Sequence, residues 1–129
     1  EEEFGVSKRV ASFVLVLGAT INQNGSALYQ AVAAIFIAQV YGISLSFSDQ
    51  LTIMVTSSLS SAAAAGVPGA AVALVGLVLQ SVGIPLEGIA LILGVDRFLD
   101  MCRTVLNVTG DLSAAAYVAR AEGEKLIAS

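Results

Sequence analysis

The chain has 129 residues, of which 57% are hydrophobic and only 12% are charged, and its formal net charge at pH 7 is −4. Soluble globular domains are nearer half apolar and a quarter charged, so this composition argues against an ordinary soluble domain. The acidic net charge provides no basic surface for nucleic acid, and we expect no nucleic-acid partner. The chain has no histidine, which removes the commonest general base and argues against an enzyme.

Charged residues are excluded from two long stretches of the chain. No Asp, Glu, Lys or Arg occurs from Val10 to Ser48, and none occurs from Gln50 to Leu86. Both stretches are much longer than the roughly 18 apolar residues that suggest a membrane span. Buried helices of a soluble protein are the alternative, but two such stretches leave a short chain little polar surface. We therefore predict an all-α membrane protein.

The first apolar segment covers about residues 10–41 and is interrupted in its middle. The stretch GATINQNGSALYQ contains two glycines and three consecutive amide side chains: Asn22, Gln23 and Asn24. We predict a broken transmembrane helix, unwound at about residues 22–26, whose free backbone groups face an ion or a polar ligand. An ordinary kinked helix, held to a neighbour by amide contacts, explains the same residues equally well.

The second apolar segment covers about residues 50–83 and is interrupted by Gly66-Val67-Pro68-Gly69. The arms on either side are about 15 and 13 residues long, which is too short to span a bilayer comfortably. No charge marks the interruption as an aqueous loop. We therefore predict a re-entrant helical hairpin, whose non-helical tip must be covered by protein or by a water-filled cavity.

The third segment, about residues 86–123, is predicted to be a transmembrane helix with one polar face. Five polar side chains fall within an arc of roughly 80° on this helix: Asp96, Asp100, Arg103, Asn107 and Asp111. Ionisable groups inside a bilayer are costly and usually functional. A purely structural ion pair between Asp100 and Arg103 is the alternative, but it leaves the other two acids unexplained.

The chemistry of this polar face indicates the kind of ligand. The planar fork of Arg103 suits a carboxylate, and Asp100, one helical turn away, suits an ammonium group. Asp111 and Asn107, with backbone carbonyls of a broken helix, form an all-oxygen set that fits a hard cation such as Na⁺. The sequence therefore predicts a ligand with both a carboxylate and an amine, bound together with a cation.

Basic residues predict the orientation of the chain in the membrane. Four of them flank the predicted membrane region: Lys8, Arg9, Arg120 and Lys125. The presumed turns near residues 42–50 and 83–88 contain neither Lys nor Arg. The positive-inside rule then places both ends of the chain in the cytoplasm. We expect a multi-pass protein of the cell's inner (plasma) membrane, in contact with the lipid bilayer.

Three stretches resemble motifs of one transporter family, and they occur in the family's order. GATINQNGSALY resembles the family's broken seventh helix, SSAAAAGVPG the tip of its second re-entrant hairpin, and DRFLDMCRTVLNVTGD its eighth helix. This is the glutamate/aspartate transporter family, which comprises the excitatory amino acid transporters and the prokaryotic dicarboxylate/amino acid:cation symporters. The resemblance extends over about residues 3–122. It implies symport of aspartate or glutamate, coupled to sodium, by alternating access.

The resemblance also implies the residues of a substrate site. Arg103 would bind the side-chain carboxylate of the substrate and Asp100 its amino group. Asn107 would contact the region of the substrate's backbone carboxylate. Ser26, which stands where the family usually has Thr, would keep a hydroxyl group for the substrate.

The hairpin tip would form the extracellular gate of that site. Its backbone around Val67, Gly69 and Ala71 would close over the bound ligand, and its glycines and proline make a mobile lid plausible. Ala64 and Ala71 replace residues that are often Thr and Gly in the family, so we expect backbone ligation to survive and the lid to be less flexible. Gln23 replaces a Met, which makes the neighbourhood of the ion sites more polar.

Cation sites are implied in the same way. The first sodium site would be formed by four residues: Gly18 through its carbonyl, Asn22, Asn107 and Asp111. A second sodium ion would lie between the Thr20 region and backbone carbonyls of the hairpin tip: those near Ser61, Ala62 and Ala64. Proton-coupled relatives often have an amide in place of Asp111, so its carboxylate favours sodium, with proton coupling as the alternative. Asn24 stands where the family usually has an Asp that helps to hold a third sodium ion, and we expect that third site to be weakened.

We expect these residues to be the C-terminal part of a longer chain and not to transport alone. Residues 1–4 lack the basic region of a signal peptide, and the resemblance implies a preceding scaffold part and a homotrimeric full-length protein. Three alternatives stay open: symport of a C4-dicarboxylate, symport of a neutral amino acid, and a helical membrane subunit that does not transport. Asp100 argues against a dicarboxylate, and Arg103 argues against a neutral substrate.

Overall fold

The computed structural model describes residues 4–63 and 69–127, and all regular secondary structure in these ranges is helical. In chain order, the helices are α1 (Lys8–Ile21), α2 (Asn24–Val40), α3 (Phe47–Ala63), α4 (Ala70–Ser81), a 3₁₀ helix (Leu86–Ile89), α5 (Ala90–Leu93) and α6 (Asp96–Ala121). The prediction of an all-α chain is thus confirmed for the described residues. None of the helices in these two ranges has both the length and the apolar composition that crossing a membrane requires.

The first apolar segment forms two helices, α1 and α2, separated by a joint of two residues, Asn22 and Gln23. The backbone of both joint residues is non-helical, with φ −85° and ψ 79° at Asn22 and φ −107° and ψ 45° at Gln23. The joint is shorter than the unwound stretch expected at residues 22–26, because residues 24–26 form the first turn of α2. This turn is stabilised from outside the helix, since the Gly25 N–H donates to Asn107 Oδ1 at 2.8 Å.

The third segment is not the single helix that the sequence predicted. A 3₁₀ helix follows Pro85, α5 ends at Leu93, and α6 begins at Asp96. Gly94 and Val95 form a turn between α5 and α6, closed by a hydrogen bond from the Val95 N–H to the Ile92 carbonyl at 3.2 Å. Glycine loses more backbone freedom in a helix than any other residue, which favours an interruption there. The polar face from Asp96 onward lies entirely within α6.

The end of α6 turns the chain back toward α1. Gly123 adopts φ +82°, and the Glu124 N–H donates to the Ala119 carbonyl at 3.0 Å, which is a Schellman ending. Ser7 then donates to the Glu124 carboxylate from its N–H at 2.9 Å and from its hydroxyl at 2.6 Å. These hydrogen bonds lower the pKa of the Glu124 carboxyl below its usual value. The two ends of the described chain therefore lie side by side.

Helix α2 occupies the centre of the fold and packs against α3, α4 and α6. Ile37, Ile53 and Leu79, from α2, α3 and α4, are at most 1% exposed and form part of one apolar core. Helix α6 packs against α1 and α2. This packing places the polar face of α6 against the joint, which is the arrangement that builds the candidate site.

Close packing of α2 on α6 depends on Gly25. A Cβ atom at this position would lie 2.5 Å from the Arg103 carbonyl oxygen and 2.9 Å from the Arg103 Cα atom, and helix backbone cannot move aside locally. We expect Gly25→Ala to destabilise the protein by about 1–3 kcal/mol, the usual cost of overpacking. The melting temperature in detergent measures this effect.

Gly94→Ala is the matched control for that substitution. Gly94 has φ −65°, and nothing lies within 4 Å of the position that a Cβ atom would occupy there, so the added methyl group meets open space. The melting temperature of this variant should equal that of the unmodified protein or exceed it slightly. Equal stability of the two variants would contradict a tight contact between α2 and α6.

Candidate ligand and cation site

Arg103 of α6 is buried, with 4% of its surface exposed. Its Nη1 donates to Asp96 Oδ1 at 3.1 Å, and its Nη2 donates to Asp100 Oδ1 at 2.6 Å. Its guanidinium lies 4.1 Å from the centre of the Tyr29 ring, within the range of a cation–π contact. The Tyr29 hydroxyl in turn donates to Asp96 Oδ1 at 3.3 Å. We refer to Tyr29, Asp96, Asp100 and Arg103 as the arginine cluster.

The ion pair between Asp100 and Arg103 is present. The sequence had suggested this pair as a purely structural alternative to a ligand site. Asp96 adds a second carboxylate, so the cluster contains one more acid than base. The Asp100 side chain is 25% exposed, against 12% for that of Asp96. Asp96 is thus bonded to both Arg103 and Tyr29, whereas Asp100 is the more exposed of the two carboxylates. Arg97, off this face, has a side chain that is 84% exposed and only approaches Asp100 at 3.9 Å.

The joint is fixed by a second group of polar contacts, centred on the buried side chain of Gln23. Gln23 Oε1 accepts from the Ser26 hydroxyl at 3.0 Å and from Asn107 Nδ2 at 2.9 Å. Gln23 Nε2 donates to the Ala19 carbonyl at 3.3 Å. The group thus ties α1, α2 and α6 together at one point. It also brings Ser26 and Asn107, two of the predicted substrate residues, to the same side chain.

Asp111 lies directly against α1 at Gly18. A Cβ atom on Gly18 would overlap the Asp111 carboxylate, so only glycine permits this approach. Asn22 Nδ2 donates to Asp111 Oδ1 at 2.8 Å and to the Asn107 carbonyl at 3.2 Å. The Asn22 N–H donates to the Gly18 carbonyl at 2.8 Å. The structure therefore brings together all four residues predicted for the first cation site.

The oxygen atoms of this group fit a monovalent cation better than a divalent one. Asp111 supplies one carboxylate, and the remaining oxygens are amide or backbone carbonyls, whereas tight divalent sites carry more charged ligands. In residues 4–63 and 69–127, no group of three or more His, Cys, Asp or Glu side chains is placed to hold a metal. Asn22 presents its amide nitrogen to Asp111, so coordination by its oxygen requires that side chain to rotate.

The residues predicted for the other cation sites have different surroundings. Thr20 is exposed, and its hydroxyl donates within α1 to the Val16 carbonyl at 3.3 Å. Ser61 is buried, and its hydroxyl donates within α3 to the Ser58 carbonyl at 2.8 Å. Asn24 and Ala62 are exposed. The described contacts of these residues therefore do not assemble a second or third cation site.

The predicted gate residues are only partly described. Gly69 precedes α4 with φ +84°, a conformation that glycine adopts without strain. Ala71 is buried in the apolar core, 6% exposed. Ala64 and Val67 lie outside the described residues, so the contacts of the hairpin tip stay a prediction.

Sequence reasoning missed two polar residues of α2. Tyr29 contacts Arg103 and Asp96 within the arginine cluster. Gln30 is fully buried, and its Oε1 accepts a short hydrogen bond from the Ser60 hydroxyl of α3. Its Nε2 has no hydrogen-bond partner within the part of the chain that the structure describes. The signal was present as two adjacent polar side chains, Tyr29 and Gln30, flanked by apolar residues within α2.

An apolar cavity of about 500 Å³ lies beside the arginine cluster, between α2 and the α5–α6 segment. Leu28, Phe36 and Leu99 are among its lining residues, and Arg103 and Tyr29 reach its wall. Its apolar lining does not suit a ligand that carries both an amine and a carboxylate. The polar side chains of the arginine cluster and of the joint are therefore the candidate ligand site.

A helix broken at a polar joint, beside buried ionisable groups, is typical of secondary transporters. The sodium:dicarboxylate symporter family matches residues 1–121, and the chain belongs to this family. Symporters act in membranes, so the family assignment implies a membrane location. The family is one of transport proteins.

Three relatives illustrate the similarity. The proton/sodium-glutamate symport protein of Bacillus caldotenax is 47% identical over 123 residues, which cover 95% of this chain and 29% of that protein. An excitatory amino acid transporter of Onchocerca volvulus is 51% identical over 118 residues, or 92% of this chain and 24% of the relative. The human excitatory amino acid transporter 1 is 52% identical over 118 residues, again 92% of this chain and 22% of the relative. The chain thus spans about a quarter of the length of these relatives.

Proposed function

We propose that these residues form the C-terminal part of the transport domain of a symporter that moves aspartate or glutamate together with sodium. The arginine cluster carries this proposal. A ligand carboxylate would replace Asp100 as the partner of Arg103 Nη2, and the Asp100 carboxylate, the more exposed of the two, would then accept from the ammonium group of the ligand. A C4-dicarboxylate has no group for Asp100, and a neutral amino acid has no side-chain carboxylate for Arg103. The names of the relatives, a glutamate symport protein and excitatory amino acid transporters, support the same substrate class.

The cation site that we propose consists of Gly18, Asn22, Asn107 and Asp111. Asn107 belongs to both sites, because its side chain contacts the joint and its carbonyl accepts from Asn22. A cation bound beside Asp111 would reorient Asn22 and so change the contacts of Asn107. This shared residue offers a physical route by which cation binding and substrate binding can strengthen each other.

The gating mechanism that we propose is alternating access with the α3–α4 hairpin as the extracellular gate. Helices α3 and α4 pack against each other and against α2, and in this proposal a movement of the hairpin opens and closes the ligand site. The adjacent chain ends support a common membrane side for both, which the basic flanks make cytoplasmic. The full-length protein is proposed to contain a preceding scaffold part and to assemble as a homotrimer in the inner (plasma) membrane.

Aspartate binding to the full-length protein in detergent, titrated with Na⁺ and with K⁺ as the control, tests the proposal. We expect aspartate affinity to rise steeply with Na⁺ and to be unaffected by K⁺. A log–log slope of about two, and not three, would agree with a weakened third site at Asn24. Succinate and serine should compete poorly with aspartate.

Two outcomes would count against this function. An aspartate affinity that depends on pH but not on the Na⁺ concentration would indicate coupling to protons and not to sodium. The name of the Bacillus caldotenax relative includes both ions. A failure to bind aspartate under either condition would contradict the acidic amino acid substrate and favour a subunit that does not transport.

A further inference from the structure

Gln23 is the one side chain of the joint that contacts α1, α2 and α6 at once among the described residues. It is 8% exposed, and both ends of its amide are hydrogen-bonded. A buried amide with all three partners in place stabilises one arrangement of its neighbours, since breaking any of these bonds leaves a buried polar group unpaired.

Gln23 and the Gly25 N–H together determine which way the Asn107 amide faces. Asn107 Nδ2 donates to Gln23 Oε1 at 2.9 Å, and Asn107 Oδ1 accepts from the Gly25 N–H at 2.8 Å. A rotated Asn107 amide would place a nitrogen opposite the Gly25 N–H and an oxygen opposite Gln23 Oε1, so both bonds would be lost. Gln23 Oε1 and the Gly25 N–H therefore both select the same one of the two amide orientations.

The same oxygen of Gln23 determines the direction of the Ser26 hydroxyl. Ser26 donates its single hydroxyl hydrogen to Gln23 Oε1 at 3.0 Å. Its oxygen therefore keeps its remaining acceptor capacity for another donor, such as the ammonium group of a ligand. An apolar residue at position 23 would leave this hydrogen free to turn toward the ligand instead.

We propose that Gln23 is a positioning residue, which orients the Asn107 amide and the Ser26 hydroxyl toward the substrate and cation. Of the two tests below, only the aspartate-binding test rests on the proposed function. Gln23 does not itself touch the ligand in this scheme; it acts through Asn107 and Ser26.

The first readout is independent of any ligand. In Gln23→Met, the Asn107 amide loses one of its two orienting partners, and its remaining bond with the Gly25 N–H should open more often. We expect hydrogen exchange of the Gly25 amide in the ligand-free, full-length protein to accelerate about tenfold, the loss expected for about one hydrogen bond. Gln39→Met, the same replacement at an exposed position of α2, should leave that exchange rate unchanged.

The second readout is aspartate binding at saturating Na⁺. We expect Gln23→Met to weaken aspartate affinity about tenfold without reducing the number of binding sites, whereas a folding defect would reduce the number of sites. The variant Ser26→Ala should lose less affinity in the Gln23→Met background than alone, because the two residues share one hydrogen bond.

The outcomes separate the two proposals. Unchanged Gly25 exchange in Gln23→Met would overturn the positioning role, whatever the protein binds. Faster exchange with unaltered aspartate affinity would also overturn it, because the orientation would then have no consequence for binding. If the unmodified protein binds no aspartate, the proposed function fails, and the exchange experiment still decides whether Gln23 orients Asn107.

Discussion

Replacing Arg103 by methionine is expected to weaken aspartate binding strongly. Arg103 is buried and is the positive partner of two carboxylates, so its loss removes the group that we propose for the ligand carboxylate and leaves Asp96 and Asp100 without their cation. Truncation of a buried charge pair weakens binding by about 2–5 kcal/mol, which is roughly 30-fold to several thousandfold. Equilibrium binding of labelled aspartate at saturating Na⁺ measures the effect.

Two further variants separate loss of the site from loss of the fold. Arg97→Met is the matched control on the same helix: its side chain is 84% exposed and 3.9 Å from Asp100, and exposed ion pairs contribute only about 0–1 kcal/mol. Arg103→Lys keeps the charge but loses the two-pronged fork, and it should bind with intermediate affinity. Near-normal affinity of Arg103→Met would contradict the assignment of Arg103 to the ligand carboxylate.

Replacing Asp111 by asparagine is expected to weaken sodium binding and, through it, aspartate binding. Asp111 is the one carboxylate that contacts Asn22 and Gly18 in the described structure. Removing a unit charge about 4 Å from a cation costs about 1–4 kcal/mol between the limits of water and a protein surface, so sodium affinity should fall about fivefold to several hundredfold. The Na⁺ concentration at half-maximal aspartate binding measures this change.

Asp49→Asn is the matched control for the charge change. Asp49 lies at the start of α3, where its carboxylate accepts from the Ser46 N–H at 2.9 Å and hydroxyl at 2.7 Å, and these bonds lower its pKa. Its replacement should leave the sodium dependence unchanged. If aspartate binding to Asp111→Asn depends on Na⁺ as in the unmodified protein, the cation binds elsewhere. If aspartate binding depends on pH and not on Na⁺, the protein is coupled to protons.

Local sequence patterns predicted much of the fold. The two uncharged stretches and the amide-rich sequence at residues 22–24 predicted helices with an interruption, because helix-weakening residues concentrate where a helix ends or breaks. Helical spacing alone placed Asp96, Asp100 and Arg103 on one face of α6. The family motifs, which are continuous in sequence, predicted the membership that the matches bear out.

The boundaries of the helices were less predictable. The single helix expected over residues 86–123 is divided at Gly94 and Val95, and the first turn of α2 begins at Asn24, inside the stretch expected to be unwound. Both differences arise because a helix end depends on which groups satisfy its free N–H and C=O groups. For α2, that partner is Asn107, which is more than 80 residues away in the sequence.

By itself, the sequence determined the helical class, the polar face of α6 and the family, because each depends on residues close together in the chain. Only the tertiary structure decided that Asp96 and Tyr29 both engage Arg103, that Asp111 fits against Gly18, and that Gln23 is hydrogen-bonded to both Asn107 and Ser26. These contacts join α1 and α2 to α6, and their partners depend on how three helices pack. Side-chain spacing within one helix carries no information about which residue of another helix lies opposite.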